Sequence, residues 1–225
     1  ALSVLDAVCS APHYPIDVQA LDADFVLCSP YKFYGPHAGL LYGRPQLLER
    51  YGRYKVRPAH DRWETGTASY ESQAATTAAI EYLAWVGREF GDPGDAAPLS
   101  GRRGEIRAGL MAITAHERSL ARRLIDGLQA IPGVKVWGIT APERAAERTS
   151  IVSFTATFAT PDAIGSHFGA EGIQVWSGNF YAVNAIDSLG LSESGGVVRV
   201  GLMSYNTAEE VDRLLASLAR VATSR

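Results

Sequence analysis

The chain has 225 residues, of which 47% are hydrophobic and 20% are charged, and its formal net charge is −3. This balance is typical of a globular protein of one or two domains with enough apolar residues for a buried core. It indicates no nucleic-acid or membrane partner, since there is no basic surplus and the apolar runs are far shorter than the roughly 20 residues that cross a bilayer. We expect the two cysteines, Cys9 and Cys28, to be buried free thiols of a cytoplasmic protein.

The first part of the chain predicts a sheet. Residues 1–5 and 24–28 are short apolar runs typical of strands, a third run follows at 40–42, and residues 17–21 suffice for a short helix. Because about one crossover separates the first two runs, we expect them to be neighbouring strands of an α/β sheet, which, if parallel, end at the same edge. The first run resembles a strand already under way in a chain that does not begin with Met, which suggests an N-terminal truncation.

An acid and an amine follow these two runs. Asp6 closes the first run, and Lys32 follows the second, between Tyr31 and Phe33. The carboxyl ends of parallel strands form the edge where open α/β sheets bind ligands, and an acid and an amine there could hold opposite ends of a flat polar cofactor. Aromatic neighbours exclude water, and desolvation favours the neutral amine that forms Schiff bases. A surface lysine in a turn and a capping aspartate are the alternatives.

The rest of the chain alternates between helices and strands. Residues 44–68 are predicted as loop, in which Gly66-Thr67 beside Arg57 and Arg62 could bind a phosphate or form a plain turn. The remaining predicted elements are helices at 70–90, 105–131, 161–169 and 180–189, strands at 134–137, 150–154, 173–176 and 197–202, and a last helix that Thr207 and Glu210 open as a capping box. We place a domain boundary near residue 110. The histidines show no metal-ligand spacing.

Five segments, taken together, resemble the cysteine desulfurase-like branch of the class V aminotransferases, which are fold-type I enzymes that use pyridoxal 5′-phosphate (PLP). In chain order these segments are DAVCSAPH at 6–13, SPYK at 29–32, GT at 66–67, GNFY at 178–181, and VRVGL with YNT between 198 and 207. The resemblance implies an α/β fold in which residues 1–110 are the C-terminal part of a PLP-binding large domain with a mixed, mostly parallel sheet. Residues 111–225 would form a smaller α+β C-terminal domain.

The resemblance also implies which residues hold the cofactor. Lys32 would form the internal aldimine and then act as general base at the substrate Cα, and Asp6 would pair with the pyridinium nitrogen. Ser29 would bind the phosphate, and Thr67 would reach a phosphate across the interface of a homodimer. Cys9 stands where relatives bond the PLP phenolic oxygen; the alternative for Cys9, which we favour, is a small buried hydrophobe.

A second set of residues is implied for the substrate. Arg199 would hold an amino acid by its α-carboxylate, for which a bidentate guanidinium is suited. His13 and Asn179 are further candidate substrate-binding residues.

These roles imply a PLP-dependent transferase or lyase that binds an amino acid as an external aldimine. Transamination, epimerisation, β-elimination and C–S lysis all remain open. Persulfide transfer is not expected, because true cysteine desulfurases use a loop cysteine and no cysteine follows Cys28 here. The alternative is a catalytically silent relative, or a fragment, with a role in assembly, since the family's N-terminal half has no counterpart in these residues.

Overall fold

A computed structural model describes residues 1–51, 63–64 and 66–223 of the chain. The chain divides into two compact units, Ala1–Thr114 and Ala115–Arg225. The predicted domain boundary at residue 110 stays a prediction, because compactness alone does not show that either unit folds by itself. Within the described ranges, no helix combines the length and the apolar character needed to cross a membrane.

The elements follow one another in mixed order. The strands are β1 (Val4–Asp6), β2 (Phe25–Cys28), β3 (Leu40–Gly43), β4 (Val134–Trp137), β5 (Val152–Ala156), β6 (Trp176–Gly178) and β7 (Val197–Val200). The helices are α1 (Pro45–Arg50), α2 (Tyr70–Phe90), α3 (Pro93–Ala96), α4 (Gly101–Ala130), α5 (Pro161–Ala170), α6 (Val183–Ser188) and α7 (Ala208–Thr223). Short 3-10 helices occur at Pro30–Phe33 and Pro142–Glu147.

A mixed sheet forms the strand layer in the described part of the first unit, with the spatial order β1-β2-β3. β1 runs parallel to β2, with Asp6 opposite Leu27, and β3 runs antiparallel to β2. The prediction that the first two runs are neighbouring strands is therefore confirmed, and the two strands are parallel.

The connection between β1 and β2 is not the helix that was predicted. Residues 18–22 form turns instead. Asp17 Oδ1 accepts the N–H groups of Gln19 and Ala20, at 3.0 Å each, and Asp22 ends the segment with a φ of 50°. A side chain that takes these N–H groups and a left-handed residue one turn later both stop helix growth.

Helices α2 and α4 pack within the first unit around an apolar cluster that includes Phe33. Phe33 is buried there with Leu83 of α2 and Leu110 of α4. The two helices touch at glycines: a Cβ built on Gly87 would lie 1.8 Å from the Glu105 carbonyl oxygen, and one on Gly109 would lie 2.2 Å from the Leu83 carbonyl oxygen. The buried Phe33 side chain anchors the 3-10 helix that also carries Lys32.

The second unit has an antiparallel sheet in the order β4-β5-β7-β6. One face of this sheet is the core, where Phe154, Val198, Phe168 of α5 and Leu218 of α7 have no exposed surface. Because side chains alternate along a strand, Arg199, between two buried valines, lies on the opposite face.

Several element boundaries differ from those predicted in the second half of the chain. The strand predicted at 173–176 begins only at Trp176, and the helix predicted at 180–189 is confined to α6 (Val183–Ser188). The cause of the second difference is that Phe180 and Tyr181 have φ values of 54° and 64°, which a right-handed helix cannot include. In the first unit, α1 lies inside the predicted loop at 44–68.

The predicted capping box of the last helix is confirmed. The Glu210 N–H donates to Thr207 Oγ1 at 3.3 Å, and the Thr207 N–H donates to Glu210 Oε2 at 3.0 Å. This reciprocal pair fixes the beginning of α7.

Candidate active site

Asp6 and Lys32 both follow strands at the carboxyl edge of the parallel pair. Asp6 is the last residue of β1, and the chain leaves the adjacent β2 at Cys28 to enter the 3-10 helix with Lys32. Asp6 Oδ1 accepts the Val8 N–H at 2.9 Å, which orients the carboxylate on the exposed edge. Asp6 and Lys32 therefore follow adjacent strands at the same edge of the sheet.

The loop that presents Lys32 is tight. The Lys32 N–H donates to the Ser29 carbonyl at 3.0 Å, and the Gly35 N–H donates to the Pro30 carbonyl at 2.8 Å. Tyr34 has a φ of 70°, and a Cβ on Gly35 would lie 2.7 Å from the Cβ of Pro30. The Ser29 side chain makes no capping hydrogen bond to this short helix, so its hydroxyl is not used there.

The aromatic residues beside Lys32 do not bury it. Lys32 and Tyr31 are both exposed, and Lys32 Nζ lies 5.3 Å from the centroid of the Tyr31 ring. Tyr31 stacks on His37 at a centroid distance of 5.1 Å, and Phe33 turns into the core. The expected desolvation of Lys32 by its neighbours is therefore wrong for the residues that the structure describes.

The two cysteines differ in exposure. Cys28 is half-buried, and burial raises the pKa of its thiol. Cys9 is exposed, so its interpretation as a small buried hydrophobe is wrong. The physical reason is that residues 8–13 form turns beyond the end of β1, outside the sheet that buries Ala7. A thiol with a raised pKa stays protonated and is a poor nucleophile, which assigns Cys28 to structure rather than to chemistry.

The remaining candidates of the first unit lie in two different settings. His13 is only 4% exposed, and its carbonyl accepts a hydrogen bond from Thr114 Oγ1. Such burial does not favour the expected contact with a substrate. Thr67 is exposed in the turn before α2, after Gly66 with a φ of 75°. Two arginines predicted to assist it, Arg57 and Arg62, lie outside the described residues.

Arg199 lies in the second unit, on the sheet face away from the core. It is half-buried and stands opposite Trp176 of β6 and Ser153 of β5. Its guanidinium carbon lies 4.3 Å from the centroid of the Phe180 ring and 5.4 Å from that of Trp176. Among the described residues no carboxylate forms an ion pair with it. A cation held only by ring faces keeps its N–H donors for a carboxylate ligand.

Asn179 shapes the loop beside Arg199. Its Oδ1 accepts the Tyr181 N–H at 3.1 Å, and its carbonyl accepts the Ala182 N–H at 2.8 Å. These bonds hold Phe180 over Arg199 and leave Tyr181 98% exposed. Reasoning from sequence missed Trp176 and Phe180 as site residues; the signal that could have found them is the pairing of β6 with β7, which brings aromatic residues beside the arginine.

The described ranges contain no group of three or more His, Cys, Asp or Glu side chains that could hold a metal ion.

Comparison with known protein families identifies the family of this chain. A sequence profile of the class V aminotransferases matches residues 1–90 and 106–214. The chain belongs to the class V aminotransferase family. It is similar to the aminotransferase-like protein FGM3 of Gibberella zeae, with 36% identity over 98% of this chain and 52% of that protein. It is also similar to a cysteine desulfurase of Synechococcus elongatus, with 31% identity over 98% of this chain and 33% of that protein.

Solved structures of class V relatives confirm the fold class. The apo structure of a cysteine desulfurase from Thermococcus onnurineus superposes with a TM-score of 0.81 and 25% identity, over 100% of this chain and 53% of that chain. The cysteine desulfurase CsdA from Escherichia coli gives a TM-score of 0.75 and 25% identity, over 98% of this chain and 51% of that chain. This chain thus spans about half the length of most of these class V relatives, or less.

The donor set at the edge of the first sheet fits PLP, the cofactor of the class V family. An aldehyde requires a primary amine, a pyridine nitrogen requires an acid, and a phosphate requires hydroxyl or N–H donors. Lys32 and the Ser29 hydroxyl after β2 and the oriented Asp6 carboxylate at the end of β1 supply these three groups.

Proposed function

We propose that this chain carries the lysine-bearing part of a PLP-dependent enzyme, a transferase or lyase that acts on an amino acid. The observation that supports this best is that Asp6 ends β1 while Lys32 follows the parallel neighbour β2. A parallel pair offers its carboxyl edge to ligands. Membership of the class V family, whose members use PLP, supports the same cofactor.

The residues of the first unit would hold the cofactor. The Lys32 amine would hold its aldehyde end, Asp6 would keep its ring nitrogen protonated, and the Ser29 hydroxyl would donate to its phosphate. Bound PLP supplies an electron sink for reactions at the substrate Cα. The exposed Lys32 amine would then take the proton from that Cα and return it as the reaction requires. In a homodimer, the exposed Thr67 would reach a phosphate of the second subunit.

The residues of the second unit would hold the substrate. Arg199 would bind the α-carboxylate through two parallel N–H donors. Asn179 would act through the loop that it shapes. Persulfide transfer is the less favoured reaction, because residues 176–182, where desulfurases carry their loop cysteine, contain no cysteine. Tyr181 of this loop is 98% exposed.

The exposure of Lys32 favours a second candidate function. No described neighbour covers the Lys32 side chain, so the described residues do not build an enclosed site around its amine. A catalytically silent relative with a role in assembly would keep the fold without this chemistry. Covalent loading of Lys32 separates the two candidates.

The experiment is borohydride reduction of the complete gene product after treatment with PLP, followed by peptide mass spectrometry. The chain has three lysines, Lys32, Lys55 and Lys135, so the modified residue is easily mapped. We expect a stable pyridoxyl adduct on Lys32 that is lost in Lys32→Ala. Lys135→Ala, which removes another exposed lysine, is the matched control and should retain the adduct.

Two results would contradict the proposed enzyme. An undiminished adduct in Lys32→Ala would show that another amine reacts. A colourless gene product that takes up no PLP would support the silent relative.

A further inference from the structure

The outer face of the second sheet carries a row of residues in register. Trp137 pairs with Ser153, Ser153 with Arg199, and Arg199 with Trp176. Directly opposed residues share a face of a sheet, so these four side chains lie on the face away from the core. Arg199 is thus held beside Trp176 by strand pairing as well as by side-chain contact.

Two aromatic rings enclose the guanidinium of Arg199. We call Arg199, Trp176 and Phe180 the arginine cage. The Phe180 ring lies closer to the guanidinium, and the two rings meet edge to face, with their centroids 6.2 Å apart and their planes at 83°. Such contacts fix the plane and position of a guanidinium while its N–H groups remain available.

The loop conformation that brings Phe180 to Arg199 is strained. Phe180 and Tyr181 are consecutive left-handed residues, with φ values of 54° and 64°. Left-handed backbone is unfavourable for bulky residues and persists where surrounding contacts enforce it. The Asn179 bonds enforce it here, together with Gly196, on which a Cβ would lie 2.2 Å from the Gly178 carbonyl oxygen.

The rings of the cage also form one wall of a pocket in the second unit. The pocket has a volume of about 490 Å³ and is lined by Trp176, Phe180, Tyr181, Val183 and Ile186, among others. This volume is within the range of small-molecule sites. Polar residues, among them Ser177, Asn179 and Asp187, line the pocket beside the aromatic and aliphatic side chains. The carboxylate in its lining, Asp187, is engaged by the Ser192 hydroxyl. Trp176 and Phe180 touch both Arg199 and this pocket, so a ligand carboxylate on Arg199 would have aromatic surface beside it.

We propose that Trp176 and Phe180 are specificity-determining residues that hold Arg199 for a substrate carboxylate and select amino acids with a large apolar or aromatic side chain. The inference rests on the proposed function, from which the amino acid is taken. Arg199 supplies affinity for the carboxylate, whereas the rings and the pocket supply the preference among side chains.

The test measures carboxylate binding without any reaction. The complete, PLP-loaded gene product is titrated calorimetrically with 3-phenylpropanoate and with propanoate, which have no amine and differ by one phenyl ring. We expect 3-phenylpropanoate to bind about tenfold more tightly, because its ring enters the aromatic pocket. Arg199→Lys should weaken both ligands and leave their ratio unchanged.

The variants at the cage separate selectivity from folding. Phe180→Ala and Trp176→Ala should each reduce the preference for 3-phenylpropanoate over propanoate at least threefold. Phe180→Tyr, which keeps an aromatic ring, should retain the preference of the parent protein. Trp137→Phe is the matched control, because Trp137 lies in the same row but packs on Lys135, and it should leave the ratio unchanged. A purely structural role of the rings would weaken both ligands equally.

Three outcomes would overturn the inference: no binding of 3-phenylpropanoate, equal affinity for both ligands, or an unchanged ratio in both alanine variants. The borohydride adduct on Lys32 is measured on the same preparation. An adduct without ligand discrimination overturns this inference alone, whereas discrimination without an adduct overturns the proposed reaction and leaves the carboxylate site in place.

Discussion

At the scale of single residues, Glu171 joins the end of α5 to α7. Its two carboxylate oxygens accept hydrogen bonds from Arg220 at 2.8 and 2.7 Å, and His167 Nε2 lies 3.4 Å from Oε1. Hydrogen bonding from Arg220 first, and then from Ser217, holds the pKa of Glu171 below its ordinary value. A carboxyl group with a depressed native pKa binds fewer protons in the folded protein than in the unfolded chain. Its contribution to stability is therefore present above the unfolded value and is lost as the pH falls.

We expect Glu171→Gln to lower the melting temperature at pH 7 by at most a few degrees, since the pair lies near the surface. The difference from the parent should shrink as the pH falls below the unfolded value of 4.5 and disappear below the folded pKa. Thermal unfolding followed by circular dichroism between pH 3 and pH 7 measures it. Glu143→Gln, at an exposed carboxylate without an ion pair among the described residues, is the control. A difference that grows on acidification would contradict the sign.

Candidate site residues were easier to predict from the sequence than the exposure of those residues. Asp6, Lys32 and Arg199 could be selected because their chemistry and their position after or within apolar runs are written in the sequence. The exposure of Lys32 could not be predicted, because successive residues of a 3-10 helix point about 120° apart. Phe33 turns inward while Lys32 and Tyr31 face outward.

At the scale of elements, backbone contact sets the packing of α2 on α4 in the first unit. Gly87 and Gly109 each leave no room for a Cβ against the partner helix. The same residue type in α5, Gly169, has no atom within 4 Å of its built Cβ. These three helical glycines can therefore be compared directly, since they differ in the room available for an added Cβ.

We expect Gly87→Ala and Gly109→Ala each to lower the free energy of unfolding by about 1–3 kcal/mol, because the added methyl forces the helices apart. Gly169→Ala should be neutral or should stabilise by up to about 1 kcal/mol, because alanine is the better helix former. Urea unfolding midpoints measure all three. Equal effects at the three positions would contradict a backbone contact between α2 and α4.

The long helices and most of the strands were predictable, whereas β6 and α6 were not. The 3.6-residue period marks α2 and α4 over many turns, and the capping box marks the beginning of α7. α6 was misplaced because its beginning depends on the left-handed backbone of Phe180 and Tyr181. Neither residue type signals that conformation.

At the scale of the whole molecule, the two units bury their sheets to different extents. In the second unit Val152, Phe154 and Val198 have no exposed surface. In the first unit β1 and β3 are edge strands of the described sheet, and Val4 and Leu41 are 59% and 43% exposed. The sequence predicts the buried residues of the second sheet and the exposed residues of the first sheet alike, as apolar strand residues. An apolar run does not indicate whether another element packs over it. Exposed apolar edges are the surfaces on which chains associate.

We expect the 225-residue chain, expressed by itself, to bind 1-anilinonaphthalene-8-sulfonate and to self-associate as its concentration rises. The double change Val4→Lys with Leu41→Lys should reduce dye fluorescence at least about twofold, because lysines on edge strands disfavour both dye binding and strand pairing. Leu189→Lys is the matched control: Leu189 is 46% exposed but lies in the second unit, after α6 and outside the strands. Dye titration and sedimentation velocity measure the two properties. If the double variant and the control behaved alike, the association surface would not be the edges of the first sheet.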